Sequence, residues 1–224
     1  MTFGQFFEHI NSNMNNLPQD NISSSYIVES QYFGTVNWYK LLFEYSNIEI
    51  AQYEAYPKTS FRNRTIIAGS NGLIVLSVPL QKGRIQKSQT RDVKISYDQD
   101  WQEQHWRSIV SCYGKSPFFE YYQDSLKPLF QKKQAFLLDL NLATQAWAIK
   151  QLKSKLIPTY TLAEEAIFKN TDIDYRDQFK PNDFQMVQNP VKYPQVFEDK
   201  IGFQNNLSIL DILSCMGPAS KTLL

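Results

Sequence analysis

The alternation of apolar and polar positions is clearest in the middle of the chain, where two apolar runs flank a short turn. The runs cover 65–68 and 73–80, and the turn between them reads GSNG. Asn71 and Gly72 form a pair that tolerates positive φ at both central positions of a tight turn, so the two runs should pair as an antiparallel hairpin. We predict that this hairpin is the centre around which the rest of the domain is arranged.

Other segments with strand or helix periodicity surround the hairpin. Strands are predicted where apolar residues cluster or alternate with polar ones, at 26–28, 48–53 and 93–97. Helices are predicted where apolar residues recur at helical spacing, at 36–45, 99–113, 117–130 and 139–153. A last, almost wholly apolar helix at 209–216 should be buried. The pattern predicts an α/β fold: a mixed, largely antiparallel sheet around the central hairpin, covered by several helices.

Differences in composition along the chain predict its domain organisation. Residues 1–25 are rich in Asn, Ser and Gln, which predicts a flexible N-terminal extension. The remaining residues, 26–224, are enough for a single α/β domain with a substantial core. Within this domain, 160–190 is polar and lacks periodicity, so we expect loops or partial order there.

Composition narrows the function classes. The chain has 23 Lys and Arg against 22 Asp and Glu, a net charge of +1. This balance argues against a general polyanion binder, and no basic helix or aromatic RNA motif is present, so nucleic acid is not an expected partner. No apolar stretch approaches the ~20 residues that span a bilayer, and the N-terminus lacks the features of a signal peptide. We therefore expect a cytoplasmic protein.

Common catalytic and metal-binding motifs are absent from the sequence. It contains no phosphate-binding glycine loop, dinucleotide fingerprint, zinc-protease motif or paired CxxC. The two cysteines, Cys112 and Cys215, lack metal-ligand spacing, so free thiols, no metal site and no cofactor are predicted.

A candidate anion site lies just before the hairpin. Along a strand, Arg62 and Arg64 would face one side, ~7 Å apart, with Asn63 on the other. Two guanidinium groups at that spacing could bind a phosphate or carboxylate in bidentate fashion. The alternative is a solvated strand face whose arginines pair with surface carboxylates.

A basic loop follows the hairpin. Its cations are Lys82, Arg84, Lys87, Arg91 and Lys94. Such a loop could close over the diphosphate of a sugar nucleotide. The alternative is a solvated loop without a ligand.

One histidine and several tyrosines are further candidates. His105 shares a helical face with Trp101 and Ile109, so it is either a core histidine or a general base with a pKa suited to proton transfer. Tyrosines in the chain could hydrogen-bond a sugar ring, or could pack their rings in the core. The tyrosines considered are Tyr32, Tyr113 and Tyr193.

Short motifs from Tyr26 onward resemble, in the same order, the WbqC-like protein family. They are QYFG (31–34), SFRNR (60–64), LSVP (76–79), RDVKI (91–95), Trp101 with HWRSI (105–109), Tyr113, PFFEYY (117–122), YPQV (193–196) and NLSILDIL (206–213). One departure concerns the start of the pattern. Many members have His-Gln-Pro before the first Tyr, whereas this chain has Val28, Glu29 and Ser30.

The resemblance implies a bacterial protein of surface-polysaccharide or lipopolysaccharide biosynthesis. It suggests a transferase that attaches an amino-acid or acyl group to a nucleotide-linked aminosugar, with His105 or Tyr113 handling the proton. The expected substrate-binding residues are Tyr32, Arg62, Asn63, Arg64, Lys82, Lys87, Arg91 and Tyr193. The alternative is a non-catalytic binding or scaffold protein of the same pathway, which the missing histidine favours.

Overall fold

The structure is a computed structural model that describes residues 25–45, 47–82, 88–155, 159–160 and 173–224. The predicted extension at 1–25 lies outside these residues except for Ser25. The same holds for Arg84 and Lys87 of the predicted basic loop. Among the described helices, none is both long and apolar enough to cross a bilayer.

The larger sheet is parallel. Its strands are β1 (Tyr26–Glu29), β2 (Ile48–Ala51), β5 (Thr159–Tyr160) and β6 (Ile173–Asp174), in the order β5-β2-β1-β6. Tyr26 aligns with Ile48 on one side and with Ile173 on the other. Strand β2 follows β1 through a helical crossover, the connection that parallel neighbours require.

The predicted hairpin forms, but not inside a larger sheet. Strands β3 (Arg64–Gly69) and β4 (Gly72–Ser77) pair antiparallel and make a separate two-stranded sheet. Gly69 pairs with Gly72, so the central residues of the turn are Ser70 and Asn71, not the predicted Asn71 and Gly72. Of the predicted pair, only Gly72 has a positive φ, 128°, a value that favours glycine. The α/β class is confirmed, whereas the single, largely antiparallel sheet around the hairpin is wrong, since every pairing in the larger sheet is parallel.

The predicted strand at 93–97 is reduced to isolated bridges. Ile95 pairs with Leu80, and Lys94 pairs with Phe136. Pro79, next to Leu80, has no N–H to donate, so a longer ladder cannot form at this point.

The predicted helices are confirmed within about two residues at each end. They are α1 (Val36–Glu44), α2 (Trp101–Tyr113), α3 (Phe119–Gln131), α4 (Leu137–Gln151) and α6 (Ile209–Met216), with a short α5 (Glu198–Ile201) in addition. Helix α6 is buried, as predicted, and the Ser208 hydroxyl accepts a hydrogen bond from the Leu210 N–H at its start.

The C-terminal helix ties the two sheets together. The Ser208 N–H donates to the Ile66 carbonyl of β3, and the Ile209 N–H donates to the Gly34 carbonyl just before α1. The hairpin and the β1–α1–β2 unit are therefore held against each other by the start of α6.

Candidate functional site

The carboxyl ends of β1, β2 and β6 bring charged residues to one edge of the parallel sheet. Glu29 is the last residue of β1, and Glu54 follows β2 by three positions. Arg176 and Asp177 follow the end of β6 by two and three positions. Open α/β sheets bind ligands outside the carboxyl ends of their strands. We call these residues, with Arg62 and Asp174, the edge cluster.

Arg62 lies at the centre of the edge cluster with only 1% of its surface exposed. Its Nε and Nη2 donate to Glu54 Oε1 at 2.8 and 2.7 Å, and its Nη1 donates to Asp177 Oδ1 at 2.7 Å. Arg62 is thus bound on two sides by carboxylates of the chain.

The predicted alternation of the basic strand is wrong at Arg62. Residues Phe61–Asn63 form a 3₁₀ turn, started by the Ser60 hydroxyl, which accepts from the Arg62 N–H at 3.3 Å. Arg64 is the first strand residue. The Asn63 side chain donates to the Val78 carbonyl at 3.0 Å and so fastens the turn to the end of β4.

Two carboxyl groups of the edge cluster are buried. Glu29 accepts from Gln31 Nε2 at 2.6 Å and from the Asp177 N–H at 2.9 Å. Glu54 accepts from Arg62 and, at 3.3 Å, from the Thr90 hydroxyl. Burial raises the pKa of both carboxyls, and the Arg62 charge opposes the rise. Perturbed carboxyl pKa values cluster at functional sites and also occur in structural ion-pair networks, so the geometry of the cluster has to support a functional role.

The exposed side of the edge cluster is formed by the segment after β6. Arg176 donates to both carboxylate oxygens of Asp174, at 2.9 and 2.6 Å, and lies 3.5 Å from Glu54 Oε2. The Asp177 side chain is 39% exposed, and its backbone has φ 58°, the left-handed region. A non-glycine residue in that region is often found where a site needs a fixed backbone.

Helix α4 covers the buried side of the edge cluster with carboxamides. Asn141 Nδ2 donates to the Arg62 carbonyl at 2.8 Å and to the Ser30 hydroxyl at 3.1 Å. Within the described chain, Asn141 Oδ1 has no hydrogen-bond partner, nor does either side-chain polar atom of Gln145, one turn further along α4. Three buried polar atoms of α4 therefore have no hydrogen-bond partner among the described residues.

Arg64 lies at a second polar position, beside Tyr56. Burial raises the pKa of the Tyr56 phenol to about 12, while the nearby charges of Arg62 and Arg64 oppose the rise. The Arg64 Nε is buried without a hydrogen-bond partner, and Arg64 forms no ion pair with any described residue. The Tyr56 N–H donates to the Ser88 carbonyl at 3.2 Å.

The other cations of the predicted basic loop are dispersed. Lys82 is exposed. Arg91 stacks over the Tyr53 ring at 4.7 Å and lies 3.8 Å from Asp92. Lys94 lies over the Phe136 ring at 5.8 Å. None of these three contacts brings a cation to Arg62.

His105 is held in the core by Tyr32. The Tyr32 hydroxyl lies 3.1 Å from His105 Nδ1, and both side chains are buried. Burial lowers the pKa of His105 to about 4, although a contact with the Ser77 backbone opposes the fall. At neutral pH the ring is therefore uncharged, and in the tautomer with the proton on Nε2 its Nδ1 accepts from Tyr32. This arrangement favours the core interpretation of His105.

Replacing Tyr32 with phenylalanine should lower the free energy of unfolding by about 1–2 kcal/mol, because His105 Nδ1 loses its buried donor. Chemical denaturation at pH 7 measures this effect. Tyr121→Phe is the matched control, since Tyr121 is 77% exposed and should tolerate the same change. Equal stability of Tyr32→Phe and the unmodified protein would contradict the proposed hydrogen bond.

Tyr113 and Tyr193 lie around a different buried carboxyl, Asp211 of α6. The Tyr113 hydroxyl donates to Asp211 Oδ2 at 3.1 Å and accepts from the Ala68 N–H at 3.2 Å. Burial raises the pKa of Asp211 to about 6, and the Asp211 charge helps to raise the pKa of Tyr193. In the described chain, no edge-cluster residue is a hydrogen-bond partner of Tyr113.

Sequence reasoning missed most of the edge cluster. Glu29, Glu54, Arg176 and Asp177 were not among the expected site residues, although the first two follow predicted strands. A charged residue directly after a short apolar strand is the signal that could have identified them.

Comparison with known proteins identifies related sequences. A family model described as the WbqC-like protein family matches residues 29–172, well over half of the chain. An uncharacterized protein of Mycobacterium tuberculosis, Rv1507c, is 31% identical over 115 residues, which cover 51% of this chain and 49% of that protein. The chain thus spans about half the length of this curated relative. No solved structure matches the chain.

Proposed function

We propose, from the premise that the chain belongs to the WbqC-like protein family, that it is a cytoplasmic transferase of bacterial surface-polysaccharide biosynthesis. It attaches an amino-acid or acyl group to a nucleotide-linked aminosugar. The observation that carries the proposal is the edge cluster: Arg62, 1% exposed, surrounded by carboxylates at the carboxyl edge of a parallel sheet. Burying the charged groups of Arg62, Glu29 and Glu54 costs folding free energy, and packing alone does not require charged side chains at these positions.

The proposed chemistry is a transfer to the substrate amine. The amine nitrogen attacks an activated acyl carbonyl, the new N–C bond forms, and the leaving group departs with the electrons of its bond to the acyl carbon. The proton released by the nitrogen passes to a carboxylate of the edge cluster. The raised pKa values of Glu29 and Glu54 suit this acceptance better than the lowered pKa of His105.

Phosphate recognition is assigned to Arg64. Its buried Nε lacks a partner in the described chain, and Tyr56 beside it can donate a phenolic hydrogen bond. Lys82 and Arg91, which stand on either side of residues 83–87 in the sequence, are proposed to add positive charge together with Lys87. Arg62 is not assigned this role, because Glu54 and Asp177 already occupy its guanidinium group.

Replacing Arg64 with alanine should weaken the binding of a nucleoside diphosphate about tenfold, since one charge-assisted hydrogen bond is lost. Isothermal titration calorimetry with uridine diphosphate measures the change. Arg107→Ala removes the same charge from a 76% exposed side chain on α2 and serves as the control. Identical affinities for Arg64→Ala and Arg107→Ala would overturn the phosphate assignment.

A non-catalytic binding protein of the same pathway is the second candidate. The observation in its favour is that Val28, Glu29 and Ser30 stand where many family members have His-Gln-Pro. Mass spectrometry of the aminosugar after incubation with acyl donors separates the two functions. A mass gain of one acyl group that Glu54→Gln abolishes supports the transferase. Binding without any mass gain supports the second candidate.

A further inference from the structure

Strand β4 of the hairpin leaves one side of its backbone open. In an antiparallel pair, the N–H and C=O of one residue point to the same side, alternately toward the neighbouring strand and away from it. The Ile66 carbonyl and the Ala68 N–H of β3 bond to other parts of the domain, so both residues point away from β4. Their partners in the hairpin register are Val75 and Leu73. The backbone groups of Val75 and Leu73 therefore point to the outer side of β4, which we call the free edge.

The backbone groups of the free edge have no partner in the part of the chain that the structure describes. Strand β4 has β3 as its one neighbour in the sheet, and no hydrogen bond from outside the hairpin reaches the backbone of Leu73 or Val75. The two residues are 39% and 53% exposed. Two donors and two acceptors thus face solvent, an arrangement with which a further strand can pair.

A second observation is that the free edge lacks charged residues. Residues 65–81 contain no Asp, Glu, Lys or Arg. Exposed edge strands of soluble proteins usually carry Lys or another charged residue, which prevents pairing with a second chain. Pro79 lies beyond the end of β4, so it does not block pairing at Leu73 or Val75. The free edge therefore has the hydrogen-bonding groups of a pairing strand without the side chains that would block it.

The face of the hairpin that carries Leu73 and Val75 is only half covered by the domain. Leu73 lies across from Ala68 in the hairpin register. Val75 lies across from Ile66 in the same way, so the four side chains share one face. The β3 half of this face is buried in a cluster with Phe184, whereas the β4 half is exposed. The apolar surface thus continues past the cover that the domain supplies and ends at the free edge.

We propose that the free edge pairs with the free edge of a second copy of this chain, antiparallel about a two-fold axis at Ile74. In this register Leu73 of each copy lies across from Val75 of the other, and the open donors and acceptors form four backbone hydrogen bonds. Pairing stops before Ser77, whose backbone already contacts His105. A second copy is favoured over a charged peptide, because apolar side chains then meet apolar side chains and no charge is buried.

Sedimentation equilibrium of the full chain tests the association. Between about 5 and about 500 µM, the mean mass should rise from that of a monomer toward that of a dimer, because a contact of this small area binds weakly. Val75→Lys places a charge on the free edge and should raise the dissociation constant about a hundredfold. Val110→Lys makes the same change at a 38% exposed position of α2 and should leave the constant unchanged. A monomer at every concentration, or equal effects of the two variants, would overturn the proposal.

Opposite charges test the register. Leu73→Lys and Val75→Glu each place a charge on the free edge, so each variant alone should stay monomeric at about 100 µM. An equal mixture of the two should form a heterodimer, because the introduced lysine lies directly across from the introduced glutamate. A mixture of Val75→Lys with Val75→Glu places the charges on a diagonal and should associate less. Association of the second mixture alone would overturn the axis at Ile74.

Amide hydrogen exchange shows whether the backbone takes part. The amides of Leu73 and Val75 should exchange more slowly at about 500 µM than at about 5 µM, whereas the Ile74 amide, which points toward β3, should exchange slowly at both concentrations. Association without slower exchange at Leu73 and Val75 would place the dimer contact elsewhere and overturn the proposal. Slow exchange of both amides in a protein that stays monomeric would also overturn it, because another part of the chain would then cover the free edge.

Discussion

Replacing Arg62 with alanine should lower the free energy of unfolding by about 3–5 kcal/mol, a large share of the stability of a domain of this size. Without Arg62, the carboxylates of Glu29, Glu54 and Asp177 face one another with their central counter-charge removed, two of them buried. Chemical denaturation at pH 7, followed by circular dichroism, measures the loss.

Two comparisons show whether charge causes the Arg62 effect. Arg107→Ala removes a guanidinium group from an exposed i,i+4 pair and should cost only a few tenths of a kcal/mol. Adding Glu29→Gln to Arg62→Ala should restore part of the stability, because one uncompensated carboxylate is removed. If the second change destabilised the protein further, the loss in Arg62→Ala would have to come from packing.

Replacing Asp211 with asparagine should raise the free energy of unfolding at pH 8 by up to about 3 kcal/mol. Burial raises the pKa of this carboxyl from its ordinary 3.8 to about 6. The folded state therefore holds the proton more tightly than the unfolded state, and the contribution to stability is lost as pH rises through about 6. Asparagine stays neutral, and its carbonyl can accept from Tyr113 at every pH.

The same variant should expose an opposite pH dependence at His105. Burial lowers the pKa of His105 from its ordinary 6.5 to about 4, so its contribution to stability is present above 6.5 and is lost as pH falls towards 4. Between pH 4 and 6 the two residues oppose each other in the unmodified protein. Denaturation curves at pH 4, 6 and 8 should show a steeper loss on acidification for Asp211→Asn. A uniform destabilisation of Asp211→Asn at all three pH values would mean that hydrogen bonds to the ionised carboxylate outweigh the cost of burying it.

Local chemistry explains which parts of the fold were predictable. The hairpin follows from two apolar runs joined by a short polar turn, because such a turn pairs the strands without distant residues, although the turn is centred on Ser70 and Asn71 and not on the predicted Asn71 and Gly72. Helix α6 follows from an apolar run with Ser208 at its start and Gly217 at its end. The helices could also be predicted, because the helical spacing of apolar residues is contained within each segment.

The parallel sheet could not be predicted from the sequence, because its strand pairings join segments that are far apart in the chain. Strands β1 and β2 were predicted as strands, but their own residues do not show that they pair in parallel, and β5 and β6 have two residues each, too few to show a period. Strand β6 also lies in the polar segment 160–190, for which loops or partial order were predicted. Only the assembled sheet shows that these strands are neighbours.

The candidate site illustrates the same limit. The segment SFRNR (60–64) predicted a strand with two arginines on one face. Instead, the Ser60 hydroxyl accepts a hydrogen bond from the Arg62 N–H and starts a 3₁₀ turn. One partner of Arg62, Glu54, lies eight positions earlier, whereas the other, Asp177, lies 115 positions later and could not be inferred from nearby sequence. Arg64, which keeps its predicted strand position, is the part of the sequence-based anion site that remains proposed for phosphate.

The most direct test of the central claim, that the edge cluster is the functional centre, is an NMR titration of the ¹⁵N-labelled protein with a nucleotide-linked aminosugar. The account predicts the largest amide shifts at Glu29, Glu54 and Asp177, accompanied by shifts at Arg64. Shifts centred on His105 and the neighbouring residues of α2, with the edge cluster unchanged, would contradict it.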